Sequence, residues 1–124
     1  MDKNYLKKRI NSFGYAFNGL RIVFKTQANA QIHLVAVAIV SILGYLLKIN
    51  SMEWISLLIC MGMVISAETM NTAVEFLTDF VSPDFHSQAG KVKDLAAGAV
   101  LICAIISVIT GIIIFIPKII LLFS

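Results

Sequence analysis

The stretch Ser66–Asp79, S-A-E-T-M-N-T-A-V-E-F-L-T-D, places polar side chains in an apolar run that begins at Trp54. Four of them recur at intervals of three, four and four residues: Glu68, Asn71, Glu75 and Asp79. At about 100° per residue this spacing puts them on one face of a helix, along roughly 15 Å of its length. We call it the acidic face. Acids are costly at membrane depth and usually face a cavity, a partner or an ion, so a functional role is predicted for Glu68 and Glu75.

Composition sets the class of protein. The chain has 124 residues, of which 59% are hydrophobic and 14% charged, and this is typical of a single-domain membrane protein covering residues 1–124. Most of the basic residues precede the first apolar run: Lys3, Lys7, Lys8, Arg9, Arg21 and Lys25. This bias predicts that the N-terminus stays in the cytoplasm. Because the basic segment adjoins a membrane span, anionic lipid is a better partner for it than nucleic acid.

Hydrophobic periodicity predicts an all-α integral membrane protein. Residues 5–25 show an apolar stripe beside a polar one, the pattern of an amphipathic helix lying in the membrane interface. Three transmembrane spans follow, at 32–49, 53–74 and 95–116, which place the C-terminus outside. Three helices can hide little polar surface, so the buried acids favour a homo-oligomer whose neighbours complete the site.

The charged residues at the start of the third span form a second cluster, Lys91-Val92-Lys93-Asp94. We expect it to meet the acidic face at one side of the membrane. Carboxylates, a carboxamide and a lysine together suit Mg²⁺ and phosphate, the requirements of phosphoryl transfer. The chain has no Walker loop, kinase glycine loop or dinucleotide fingerprint. The chemistry alone leaves two classes open, a phosphotransferase and a small ion-coupled transporter that uses the intramembrane carboxylates.

The run E-T-M-N-T-A-V-E-F-L-T-D, followed by H-S-Q-A-G-K-V-K-D-L-A-A-G-A-V, resembles the signature of the small prokaryotic diacylglycerol kinase family, which includes undecaprenol kinases. The segment G-Y-x-x-x-G-L-R, from Gly14 to Arg21, and the layout of the chain are also similar. The resemblance implies a homotrimer in the bacterial inner membrane, with cytoplasmic active sites built between subunits. It further implies transfer of the γ-phosphate of MgATP to the hydroxyl of a membrane lipid.

The same resemblance implies a role for each matching residue. Glu68 would be the general base, and Glu75 would hold Mg²⁺. The remaining positions would bind the nucleotide: Lys8 (or its neighbour Arg9), Tyr15, Asn71, Asp79, Asp84, Phe85, His86, Lys93 and Asp94.

Gln27 is a departure from the family pattern, because members commonly have a second metal-binding glutamate there. A carboxamide can coordinate through its oxygen but does not neutralise the charge of the ion, so the contribution of Gln27 to a metal site is doubtful. For the acceptor lipid, the residues next to Glu68 on the first two spans are small and apolar, with few donors for ester groups. This favours undecaprenol over diacylglycerol.

Overall fold

Four helices make up the part of the chain that the computed structural model describes, residues 2–124. They are α1 (Lys3–Thr26), α2 (Ala28–Leu46), α3 (Ser51–Val81) and α4 (Ser87–Leu122). By length and composition, α2, α3 and α4 can each cross a membrane. The predicted all-α class with three apolar helices is thereby confirmed.

Polar side chains define where three of the helices begin. The carboxylate of Asp2 accepts a hydrogen bond from the Asn4 amide at the start of α1. The Asn50 side chain accepts one from the Glu53 amide, at 2.9 Å, at the start of α3. The Nδ1 atom of His86 accepts one from the Gln88 amide at the start of α4. Each cap satisfies an amide of the first turn that has no partner inside its helix.

The helices and the predicted spans end at different residues. Only Gln27, in extended conformation, separates α1 from α2, which therefore starts before the predicted limit of the first span at 32. The helix α2 ends at Leu46, before the predicted limit at 49, because Lys48 has a φ of 53° that a right-handed helix cannot contain. The helix α4 starts well before 95 and continues through Pro117. The membrane-crossing limits 32–49, 53–74 and 95–116 remain predictions.

The helix α3 lies at the centre of the fold. It packs most extensively on α4 and also contacts α2 and α1. A hydrophobic core at one end of the bundle joins Ile49, Leu57, Ile114 and Phe115. An ion pair of 3.1 Å between Lys118 and Glu53 also links α4 to α3 there. The N-terminal end of α3 is therefore fixed by these contacts, and the acidic face lies towards the C-terminal end of the helix.

Gly44 allows α2 to approach α3 closely near this core. A Cβ atom added at Gly44 would lie 3.0 Å from side-chain atoms of both Trp54 and Ile49. A larger residue would have to displace both side chains. Elsewhere α2 is largely uncovered, and it buries only Ala30 and Gly44. Its apolar surface is suited to contact with lipid or with another copy of the chain.

Candidate active site

Glu68 is the most deeply buried charged residue of α3, with 2% of its surface exposed. Its backbone carbonyl accepts a hydrogen bond of 2.9 Å from the Thr72 hydroxyl. Its carboxylate oxygen Oε2 is buried and has no hydrogen-bond partner among residues 2–124. A buried acceptor without a donor costs about 1–3 kcal/mol. The structure thus leaves Oε2 of Glu68 able to accept a further hydrogen bond.

Asn71 and Glu75 continue the acidic face on the next turns of α3. The Asn71 side-chain amide donates to Glu75 Oε1 at 3.3 Å, a contact between residues four apart on a helix. The Asn71 Oδ1 atom is buried, and no donor reaches it within the described chain. One turn of α3 therefore offers both a carboxylate and an unsatisfied carbonyl oxygen.

His33 of α2 faces Glu68. Its Nε2 atom lies 3.7 Å from Glu68 Oε2, just beyond hydrogen-bond length and within ion-pair distance. No role in a site was predicted for His33 from the sequence. Its one signal was an imidazole in an apolar run, and nothing in the sequence indicated which helix it would meet.

Asp79 forms an ion pair with Lys93 of α4. Both side chains are partly exposed. The basic cluster of the third span thus meets the acidic face, as expected. Asp94, the next residue, is exposed.

The loop between α3 and α4 contains three more of the predicted nucleotide ligands. Asp84 and Phe85 are exposed, the latter at 97%. His86 is also exposed, and its Nδ1 atom is used to cap α4, which leaves Nε2 as the free ring nitrogen. The His86 side chain borders a mostly apolar cleft of about 440 Å³ between the two helix ends, lined by Leu77, Thr78, Val81, Ser82, Gln88, Ala89 and Val92.

The predicted ligands on α1 are not brought to the acidic face by their own chain. Tyr15 is 75% exposed and Lys8 is exposed, whereas Arg9 donates to the Tyr5 hydroxyl at 2.9 Å. Leu20 of α1 lines a cleft against α3 formed by Ile65, Ser66, Thr69, Met70 and Ala73. Four of these five lie roughly 100–200° around α3 from Glu68. The helix α1 therefore contacts α3 on a different side from the acidic face.

A magnesium ion fits the oxygen donors of α3 in part. Within residues 2–124, no three His, Cys, Asp or Glu side chains are grouped so as to hold a metal. Gln27 is half-buried at the junction of α1 and α2, where its amide donates to the Thr26 hydroxyl. Mg²⁺ is usually bound by one or two carboxylates together with substrate phosphates and water. Glu75, with the free Asn71 oxygen, supplies a partial site of this kind.

An apolar groove leads away from His33. It has a volume of about 280 Å³ and lies over α3 between α2 and α4. We call it the apolar groove, and its lining comprises His33, Ala36, Val37, Val40, Leu57, Cys60, Met61, Val64, Ile65, Ala104, Ser107, Val108 and Gly111. The Ser107 hydroxyl already donates to the Cys103 carbonyl at 2.7 Å. His33 is therefore the principal polar group that the groove presents.

The fold and the site are those of an integral membrane protein. A buried acid lies beside an apolar groove, and further polar residues follow it along α3 to an exposed position. Residues 14–115 match the family described as prokaryotic diacylglycerol kinase. The chain belongs to this family, and its resemblance in sequence is confirmed.

Three relatives illustrate the match. The undecaprenol kinase of Bacillus subtilis is 37% identical over 116 residues, covering 94% of each chain. The diacylglycerol kinase of Escherichia coli K12 is 30% identical, covering 82% of this chain and 83% of the relative. The diacylglycerol kinase of Synechocystis is 39% identical over 81% of this chain and 58% of the relative.

Proposed function

We propose that this protein is a lipid kinase that transfers the γ-phosphate of MgATP to the hydroxyl of undecaprenol. The observation that carries the proposal is the buried Glu68 carboxylate, which has a free oxygen and lies opposite His33 at one end of the apolar groove. A lipid hydroxyl brought there would meet a base, while its apolar chain lay in the groove. The match to a family of lipid kinases supports the reaction class.

Glu68 acts as the general base in this proposal. The lipid oxygen attacks the γ-phosphorus and its proton passes to the Glu68 carboxylate. The bond from the γ-phosphorus to the bridging β–γ oxygen breaks, and ADP leaves with that oxygen. The reaction needs positioning and charge stabilisation rather than a covalent intermediate on the protein. A carboxylate oxygen that no protein donor occupies is suited to accept the proton.

The polar residues beyond Glu68 bind the nucleotide. Glu75 and the free oxygen of Asn71 would hold Mg²⁺, which when bound neutralises charge on the β- and γ-phosphates. Asp79 and Lys93, which form an ion pair, would lie near the phosphates, and Asp94 would lie beside them. The exposed loop supplies Asp84, Phe85 and His86, and α1 supplies Lys8 and Tyr15.

The complete site is shared between subunits of a homotrimer. Three observations support this arrangement: the unsatisfied buried oxygens, the incomplete metal site, and the position of α1 against a different side of α3. In a symmetric assembly a neighbour can bring its own α1 to the acidic face. The protein lies in the bacterial cytoplasmic membrane, with its basic N-terminus and its active site on the cytoplasmic side.

Undecaprenol is favoured over diacylglycerol by the lining of the groove. The two ester groups of diacylglycerol need hydrogen-bond donors when they leave water. In the groove Ser107 is already bonded to Cys103, so His33 is the main remaining donor. A branched hydrocarbon needs none. The 94% coverage of the B. subtilis undecaprenol kinase agrees with this choice.

Competition between the two lipids tests the acceptor. Undecaprenol and diacylglycerol are placed at equal mole fraction in one bilayer with the purified protein and ATP labelled in the γ-phosphate. We expect most of the label on undecaprenol. Preferential labelling of diacylglycerol would overturn the acceptor and leave the kinase reaction in place.

Gln27→Glu is expected to lower the Mg²⁺ concentration needed for half-maximal activity. The new carboxylate would add an anionic ligand near the metal, whereas the carboxamide offers only a neutral oxygen. The measurement is a Mg²⁺ titration at constant ATP. Asn29→Glu is the matched control, because it adds the same charge two residues further on, at an exposed position of α2. An unchanged titration in Gln27→Glu would show that residue 27 does not face the metal.

A further inference from the structure

His33 both lies within ion-pair distance of Glu68 and lines the apolar groove. Its Nε2 atom lies 3.7 Å from Glu68 Oε2, and the same side chain lines the groove. The groove continues from there along Val64 and Ile65, which precede Glu68 by about one turn of α3. A lipid hydroxyl at this end of the groove would lie next to both His33 and the carboxylate.

The Glu68 carboxylate needs a group that sets its orientation. Its side chain has several rotatable bonds, and its Oε2 atom has no hydrogen-bond partner in the described residues. His33 is the ionisable group within ion-pair distance. An imidazole with a hydrogen on Nε2 can donate to the carboxylate whether the ring is neutral or protonated. One donor on one oxygen would direct the other oxygen towards the substrate.

We propose that His33 is a positioning residue for lipid phosphorylation, whose imidazole holds the Glu68 carboxylate towards the hydroxyl of a lipid alcohol in the apolar groove. The inference rests on the proposed role of Glu68 as the base. It assigns His33 to the chemical step with the lipid, and not to the binding of the nucleotide.

Two substitutions of His33 distinguish a positioning role from a role in packing alone. His33→Leu keeps much of the side-chain volume and removes the donor, while His33→Gln places an amide N–H at a similar reach. We expect His33→Leu to lower kcat by about 10- to 100-fold, the usual effect of losing a hydrogen bond to a charged group, with KM for MgATP unchanged. His33→Gln should recover most of the loss. Ile32→Leu, at an exposed position of α2, is the matched control and should retain full activity.

A double mutant tests whether His33 acts through Glu68. In a Glu68→Gln background, His33→Leu should cause no further loss, because residues that act as a unit are not additive. Wild-type kcat in His33→Leu would overturn the proposal. So would an equal loss in His33→Gln, or an additive loss in the double mutant.

Infrared difference spectroscopy gives a readout that does not depend on turnover. The carboxyl band that disappears in Glu68→Gln is assigned to Glu68, and its frequency is compared in wild type, His33→Leu and His33→Gln. We expect a shift in His33→Leu that is largely reversed in His33→Gln. An unchanged band in both variants would contradict the contact. If no lipid were phosphorylated, the kinase proposal would fail separately, while this band would still report on the His33–Glu68 contact.

Discussion

Glu68→Gln is expected to lower kcat for lipid phosphorylation by about 10²–10⁴-fold, the usual size of a general-base contribution, with the affinity for MgATP nearly unchanged. Glutamine retains the shape of the side chain but cannot accept the proton of the lipid hydroxyl. Because the Glu68 Oε2 atom has no hydrogen-bond partner among residues 2–124 and its one ion-pair contact is with His33, removal of the charge should leave the fold intact. The measurements are steady-state turnover and nucleotide affinity in the same lipid mixture.

Glu75→Gln is the matched comparison, since it is the same substitution two turns further along α3. It should instead weaken MgATP binding, because the metal loses its charged ligand while Asn71 remains. The two variants therefore separate the chemical step from binding. Normal turnover in Glu68→Gln would refute the assignment of the base.

Lys93→Met is expected to reduce kcat/KM for MgATP by roughly 10- to 150-fold. A hydrogen bond to a charged group contributes about 1.5–3 kcal/mol, and each 1.4 kcal/mol is a factor of ten. The substitution removes the ammonium that we propose faces the phosphates, and it also leaves Asp79 without its partner. Lys91→Met is the control, since it removes the same charge at an exposed position two residues away. Equal losses in both variants would indicate a general electrostatic effect in place of a specific contact.

Mixing two impaired variants tests which subunit supplies Lys93 to an active site. Lys93 forms an ion pair with Asp79. Asp79 follows Glu68 by three turns of α3, about 16 Å along the helix axis. If the two groups of one active site come from different chains, assembling Glu68→Gln with Lys93→Met restores a fraction of complete sites. Activity no higher than the sum of the separate variants would place both groups in one chain.

The acidic face and the fold class were predictable from the sequence because they depend on local periodicity. Polar residues three and four apart in an apolar run can share a face only on a helix, and the structure puts Glu68, Asn71 and Glu75 on α3. The meeting of Lys93 with Asp79 was also expected, since both lie near the same loop. The family resemblance supplied the reaction class, which spacing alone left open.

The contact between His33 and Glu68 was not predictable, because it depends on how two separate helices pack. Periodicity gives the face of each helix but not its rotation against a neighbour. The sequence also does not show that a single extended residue, Gln27, separates α1 from α2. The proposed contributions of Lys8 and Tyr15 would come from a neighbouring chain, and they remain predictions.

The most direct test of the account follows the γ-phosphate of ATP. Purified protein in a bilayer containing undecaprenol is supplied with Mg²⁺ and ATP labelled in the γ-phosphate, and the lipid and aqueous phases are separated. The proposed kinase reaction predicts one labelled phosphate on lipid for each ADP formed, and loss of the signal in Glu68→Gln. Failure to label any lipid, together with cation movement across the same bilayer that depends on Glu68, would contradict it and favour an ion-coupled transporter.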